Sequence, residues 1–264
     1  MLRLFMRCLL LTALLGFFSQ LQAQSTNRVV DIPTRPGVTQ RMLVISPPDP
    51  KAMVVLFAGG HGGLQFFPNG TFKWGGGNFL IRARQLFVDQ GMMVVVVDTP
   101  SDHQRSPFLQ GFRQTAGHVA DIKAVIDWSR QNAKVPVWLV GTSRGTQSAA
   151  YVATELSGAD GPDGIVLTST MLSDDIDRPV TAMPLDKVRI PVLVVHHELD
   201  GCKHCAFSAI PDLMDKLSNA PRKQLLSFKG GITKGDPCEA FAYHGFNGIE
   251  ADVVQQITGW VVAK

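Results

Sequence analysis

The chain has 264 residues, 45% of them hydrophobic, with 25 basic and 22 acidic side chains and a formal charge of +3. That apolar content is enough to bury a large core and excludes a disordered chain. The scattered basic residues give no electrostatic footprint for nucleic acid. Residues 1–23 read as a secretory leader: Arg3 and Arg7 flank a short positive region, Cys8–Phe18 is nearly all apolar, and Leu21-Gln22-Ala23 ends in a small residue before Gln24. The apolar run is short for a membrane anchor, the alternative reading, since a span needs about 20 residues. Removing this segment takes away two arginines and no acid, which leaves a net charge near +1. The expectation is an exported chain, periplasmic or extracellular, with one domain over residues 24–264 and no membrane span after processing.

Past the leader, Arg28–Ile32 and Arg41–Ser46 read as two early strands. Ala52–Phe57 is a fully apolar strand, broken by Gly59-Gly60-His61-Gly62-Gly63. The pattern of Phe79, Ala83, Leu86 and Phe87 predicts a helix over Asn78–Gln90 that Gly91 stops. Met92–Val97 is another buried strand, and Thr115–Gln131 a helix with Val119, Ile122, Val125, Ile126 and Trp128 on its apolar side. A strand over Val135–Val140 leads into Gly141-Thr142-Ser143-Arg144-Gly145 and a helix over Thr146–Glu155. Ile165–Leu167, Pro191–Val195 and Gln224–Phe228 complete the strands, with helices over Ala209–Leu217 and Ile249–Val262. Strands with unbroken Val/Ile/Leu character are buried on both faces. Their alternation with amphipathic helices predicts an α/β fold: a doubly wound, mostly parallel sheet of about eight strands with helices on both faces.

The strand–turn–helix around Ser143 is the most informative stretch. A sharp turn there projects the serine, and side chains at Gly141 and Gly145 would collide with the neighbouring strand and helix. Asp200 follows the Pro191–Val195 strand, within His196-His197-Glu198-Leu199-Asp200, and His244 lies between the last strand and the last helix. Serine, acid and histidine in this chain order, each beyond a strand end, resemble the α/β-hydrolase family over essentially the whole chain after the leader. The resemblance implies that Ser143 is a nucleophile, His244 its base and Asp200 the acid that orients the base. Glu198, Asp174 and Asp175 are the competing acids. The family's oxyanion hole implies backbone N–H donors from Arg144, after the serine, and from Gly60 in the glycine loop, with Gly59 as the alternative. The short polar connection between Met171 and Arg189 leaves no room for a large lid domain.

The resemblance implies hydrolysis of a carboxylic ester or related acyl bond in a small-molecule substrate, with no cofactor. Amide, peptide or lactone substrates would use the same machinery. Other classes remain open: a non-catalytic hydrolase-like binding protein, or a metal or redox protein built on Cys202-Lys203-His204-Cys205. A metal site would draw on Cys202, Cys205, His204 and His196 or His197. Cys202, Cys205 and Cys238 in an oxidising compartment suggest one disulfide, from Cys238 to either Cys202 or Cys205, and one free thiol. Phe66, Phe67, Phe72, Trp74 and Phe79 either wall a substrate pocket or pack beneath a loop. Arg144 could pair with Asp200 or Glu239, or attract an anionic substrate, and His61 could contact substrate.

Overall fold

In the computed structural model, residues 25–263 are described, so the leader expected over 1–23 lies outside the described residues. Eight strands form one sheet: β1 (Thr26–Arg35), β2 (Val38–Ser46), β3 (Ala52–Phe57), β4 (Met92–Pro100), β5 (Val137–Thr142), β6 (Gly164–Thr168), β7 (Val192–His197) and β8 (Lys223–Phe228). Their spatial order is β1-β2-β4-β3-β5-β6-β7-β8. The pairings among β3 to β8 are all parallel, and β1 and β2 add an antiparallel edge. The mostly parallel, eight-stranded sheet expected from the apolar runs is the one observed.

The first two strands are longer than their apolar cores suggested. They form a hairpin that turns at Pro36-Gly37, where Gly37 takes φ 72°. Pro33 is tolerated inside β1 because β1 is an edge strand, where a missing N–H costs little, and the register shifts beside it.

Helices cover both faces. On one side, α3 (Ala116–Asn132), α4 (Gly145–Glu155) and α5 (Ile210–Lys216) bury Ile122, Val125, Ile126, Val152, Ile210 and Leu213 against the sheet. On the other, α1 (Phe79–Arg82), α2 (Arg84–Asp89) and α6 (Glu250–Val262) bury Phe79, Leu80, Phe87, Val253, Val254 and Ile257. The single helix expected over Asn78–Gln90 is broken at Ala83, whose backbone caps both pieces. The apolar period survives the break, which is why periodicity alone does not reveal it. Thr115 caps α3, its hydroxyl accepting the His118 N–H at 3.2 Å. The segment between β6 and β7 holds two short 3-10 turns, Val180–Ala182 and Leu185–Lys187, and no inserted lid domain.

His118 lies on the buried face of α3, edge-on to Phe57 and Phe112, and neither ring nitrogen has a hydrogen-bond partner among the described residues. Burial, with the Arg113 charge nearby, pushes its pKa from 6.5 down to about 3. Below pH 6.5 the unfolded chain therefore takes up a proton that the folded chain refuses. The stabilisation by neutral His118 is complete above that pH and is lost at about 1.4 kcal/mol per pH unit as pH falls toward the folded value. His118→Leu should remove this part of the acid sensitivity. In urea melts, the stability lost between about pH 7 and pH 4.5 should be smaller by roughly 2–3 kcal/mol in the variant. Parallel losses in both proteins would refute the assignment.

Candidate active site

Every element of the site lies at the carboxyl end of a parallel strand, where ligands bind in open α/β sheets. The register sets Phe57 of β3 opposite Gly141 of β5, and Thr142 opposite Thr168 of β6. The glycine loop therefore emerges beside the turn that carries Ser143.

That turn is sterically closed. A Cβ on Gly141 would strike the Gly145 backbone, and one on Gly145 would strike the Phe57 and Ala58 backbone. Ser143 takes φ 52°, a left-handed conformation unusual for a residue with a side chain. It is held there because its N–H donates to the Thr168 carbonyl at 3.0 Å and its carbonyl accepts from the Thr146 N–H at 2.9 Å and hydroxyl at 2.6 Å.

Asp200 and His244 meet in the interior at the mouth of the sheet. His244 Nδ1 lies 2.9 Å from Asp200 Oδ2, and both side chains are buried. A carboxylate only accepts, so Nδ1 carries the proton and Nε2 is left with a lone pair. Asp200 Oδ1 accepts the Cys202 N–H at 2.9 Å, which fixes the carboxylate plane. Ser169, also left-handed at φ 45°, donates its hydroxyl to the His244 carbonyl at 2.7 Å. Ser143 and His244 line one cleft of about 520 Å³ without a direct hydrogen bond between them. In ligand-free sites such bonds are often long and tighten only around substrate.

The competing acids are engaged elsewhere. Asp174 takes both Arg144 guanidinium nitrogens, at 2.6 and 2.8 Å, and the Gln147 amide at 2.9 Å. Glu198 binds Ser227 and Lys229, and exposed Asp175 lies 3.6 Å from Lys203. The pairings considered for Arg144 are thereby corrected: its partners are Asp174 and, at 3.7 Å, Asp177, not Asp200 or Glu239. The spacing of Arg144 from those two acids gave no hint of it, because the connection after β6 folds back over the start of α4.

Gly60 and Arg144 both border the cleft, and neither backbone N–H donates to a described residue. Gly59 serves close approach: a Cβ there would lie 3.0 Å from Ser143 Cβ and 3.1 Å from the Thr142 carbonyl oxygen. The loop is held from behind by Arg113, which sequence reading missed. Its buried guanidinium donates to the Ala58 and Gly60 carbonyls, at 3.0 and 3.3 Å, and to the Ser148 hydroxyl at 2.8 Å. No carboxylate forms an ion pair with it among the described residues, and burial pushes its pKa down to about 9. Asp98, at the end of β4, steers the loop onward by accepting the N–H groups of Leu64, Gln65 and Phe66 at 2.8, 3.1 and 3.0 Å.

His61 stacks on Phe108 at 4.4 Å and accepts the Gly63 N–H, with burial and Arg113 lowering its pKa. The adjacent histidines of β7 brace the Asp200 loop and the segment that carries His244. His196 Nε2 donates to the Cys205 carbonyl at 2.7 Å, and His197 stacks on Tyr243 at 4.4 Å. Of the five aromatic residues after the glycine loop, only Phe79 lines the cleft. Phe66 and Phe72 pack against each other at 5.7 Å, and Phe67 and Trp74 face solvent.

A disulfide joins Cys202 to Cys238 and ties the Asp200 loop to the segment leading to His244. Cys205 remains a buried free thiol, pushed well above the ordinary thiol range by burial and by Asp200. Cys202, Cys205 and His244 converge within 4.8 Å, but the Cys202 sulfur is bound to Cys238 and is not a thiolate ligand. The other metal candidates are also dispersed: His196 and His197 bond to backbone carbonyls, and His204 lies 4.0 Å from Asp175. Cys238→Ser should cost about 4 kcal/mol, the loop-closure entropy for a separation of 36 residues. Thiol titration of the chain from residue 24 onward should find one free thiol in denaturant and none in the native state. Three free thiols without reductant would refute the bridge.

The chain has the α/β-hydrolase fold. Similar folds are a dienelactone hydrolase from Anabaena variabilis (14% identity, TM-score 0.65, covering 90% of this chain and 97% of that one) and an esterase of Pyrococcus furiosus (12%, 0.67, 90% and 91%). A cold-adapted esterase from an Arctic intertidal metagenomic library is a third (18%, 0.60, 89% and 94%). No protein-family model matches the sequence, and no curated protein matches it either.

Proposed function

We propose that this chain is a serine hydrolase that cleaves a carboxylic ester or related acyl bond through a covalent acyl-enzyme. The observation that carries this reading is the buried Asp200–His244 pair, joined at 2.9 Å, at a cleft that also holds Ser143 in a strained turn. Ser143 Oγ attacks the acyl carbon while His244 Nε2 takes the hydroxyl proton, and Asp200 stabilises the imidazolium. The carbonyl π electrons move to oxygen, which accepts from the Gly60 and Arg144 amides. His244 then returns the proton to the leaving alcohol, and water repeats the sequence to release the acid. The three structural neighbours named above are an esterase, a second esterase and a dienelactone hydrolase, in keeping with ester-type chemistry. The reaction needs no cofactor.

On this reading residues 24–264 form one exported domain after loss of the leader 1–23, and the disulfide supports an oxidising destination. No helix among the described residues is long and apolar enough to cross a membrane. The test is labelling of the protein from residue 24 onward with a fluorophosphonate probe, followed by mapping of the modified peptide. Modification at Ser143 that disappears in His244→Ala is the expected result. A folded protein that is not labelled would overturn the reading.

A further inference from the structure

Asn78 stands at the N-cap of α1, a position where asparagine ordinarily turns its side chain back to accept an N–H of the first helical turn. Here it makes no such bond. Its backbone is fully engaged, the N–H donating to Gly75 and the carbonyl accepting from Arg82, each at 2.9 Å. The side chain instead lines the cleft with Ser143, Gly60 and Arg144. Oδ1 is buried without a donor, and Nδ2 makes no hydrogen bond to a described residue. An amide that forgoes its cap and finds no replacement inside the protein is held ready for a partner from outside.

The direction of that partner follows from Gly59. A Cβ on Gly59 would lie 3.0 Å from Ser143 Cβ and 3.2 Å from Asn78 Nδ2. The bare Gly59 backbone thus separates the serine from the amide, and any larger residue would push one of them away. Gly60 and Arg144 border the same cleft as Asn78 and Ser143.

We propose that the Asn78 side-chain amide is a third donor to the oxyanion, with Nδ2–H directed at the oxygen on which charge develops. This rests on the serine-hydrolase reading above. As the Ser143 Oγ–carbon bond forms and the carbonyl π bond opens, the serine proton passes to His244. Asn78 transfers no proton: its N–H shares the negative charge and relaxes when the carbonyl re-forms. A donor of this kind acts mainly on the transition state, so its loss appears in kcat rather than KM.

The test uses Asn78→Ala and the isosteric Asn78→Asp on a p-nitrophenyl ester. We expect kcat to fall about 10²–10³-fold in each, with KM within about threefold, and fluorophosphonate still to reach Ser143, more slowly. The inhibition constant of a trifluoromethyl ketone, which forms a tetrahedral adduct, should rise in step with the fall in kcat. A structural role for Asn78 would not couple those two quantities. Unchanged kcat in the variants, with Ser143 labelled normally in the parent, would overturn the role of Asn78 and leave the hydrolase reading standing. A rise in KM alone would do the same. A parent protein that is not labelled would overturn both. Should Asn78→Ala not fold, Asn78→Asp decides, because it preserves the shape and removes the donor.

Discussion

Asp200→Asn is expected to lower kcat about 10⁴-fold with little change in thermal stability. The asparagine can keep the contact to the Cys202 N–H through its carbonyl oxygen, because Asp200 Oδ1 is the acceptor there, at 2.9 Å. That leaves an NH₂ group facing His244 Nδ1, where the carboxylate oxygen now accepts at 2.9 Å. A donor at that place forces Nδ1 to accept, and the ring proton moves to Nε2. The imidazole then offers Ser143 an N–H instead of a lone pair, and the serine cannot lose its proton. His196 Nε2, 3.6 Å from Asp200 Oδ2, offers no substitute, since it is spent on the Cys205 carbonyl. Steady-state kinetics with an activated ester, alongside a thermal melt, check this. A loss of less than about tenfold would mean that Asp200 is not the acid of the mechanism.

Arg113→Met should lower kcat by about 10²-fold and stability by about 3 kcal/mol. Methionine fills much of the volume but supplies none of the three hydrogen bonds to Ala58, Gly60 and Ser148. Two of those bonds fix the carbonyls on either side of the Gly59 peptide, and so the direction in which the Gly60 N–H points. The loop cannot restore this by itself, since Gly60 is at φ 58° with open space where a Cβ would be. Gly62 is bare because the guanidinium and Leu109 fill the space beside it. For a domain of this size the stability loss corresponds to a fall in Tm of about 6–12 °C. Arg113→Lys should recover part of the stability and little of the rate, since one ammonium nitrogen cannot take the places of both Nη2, which holds the two carbonyls, and Nη1, which holds Ser148. Full activity in Arg113→Met would show that the glycine loop holds its shape unaided.

Most of the sheet was legible because β3 to β7 are apolar on both faces, and such runs have few other uses in a chain of this length. The edge hairpin was less legible because Thr26, Asn27, Thr39 and Gln40 carry no apolar signal, yet pair as strand. Ser143, Asp200 and His244 stood out through their positions just beyond strand ends. The residues that support them did not. Arg113 and Asp98 act on backbone groups of a distant loop, and no spacing in the chain encodes where that loop passes. The pairing of Cys238 was open between Cys202 and Cys205, since only two residues stand between them and both are within reach. Both sulfurs lie within 4.8 Å of a His244 ring nitrogen, and it is Cys202 that bonds to Cys238.

The Cys202–Cys238 bridge also links chemistry to geography. The acid and the base of the proposed reaction sit on the loops that follow β7 and β8, which pair side by side, and the bridge ties those two loops together. A chain held in a reducing cytosol would keep its scaffold but leave those two loops joined only by weaker contacts. The covalent closure requires an oxidising space. On the proposed reading of an exported hydrolase, the link between its acid loop and its base loop becomes covalent only after export.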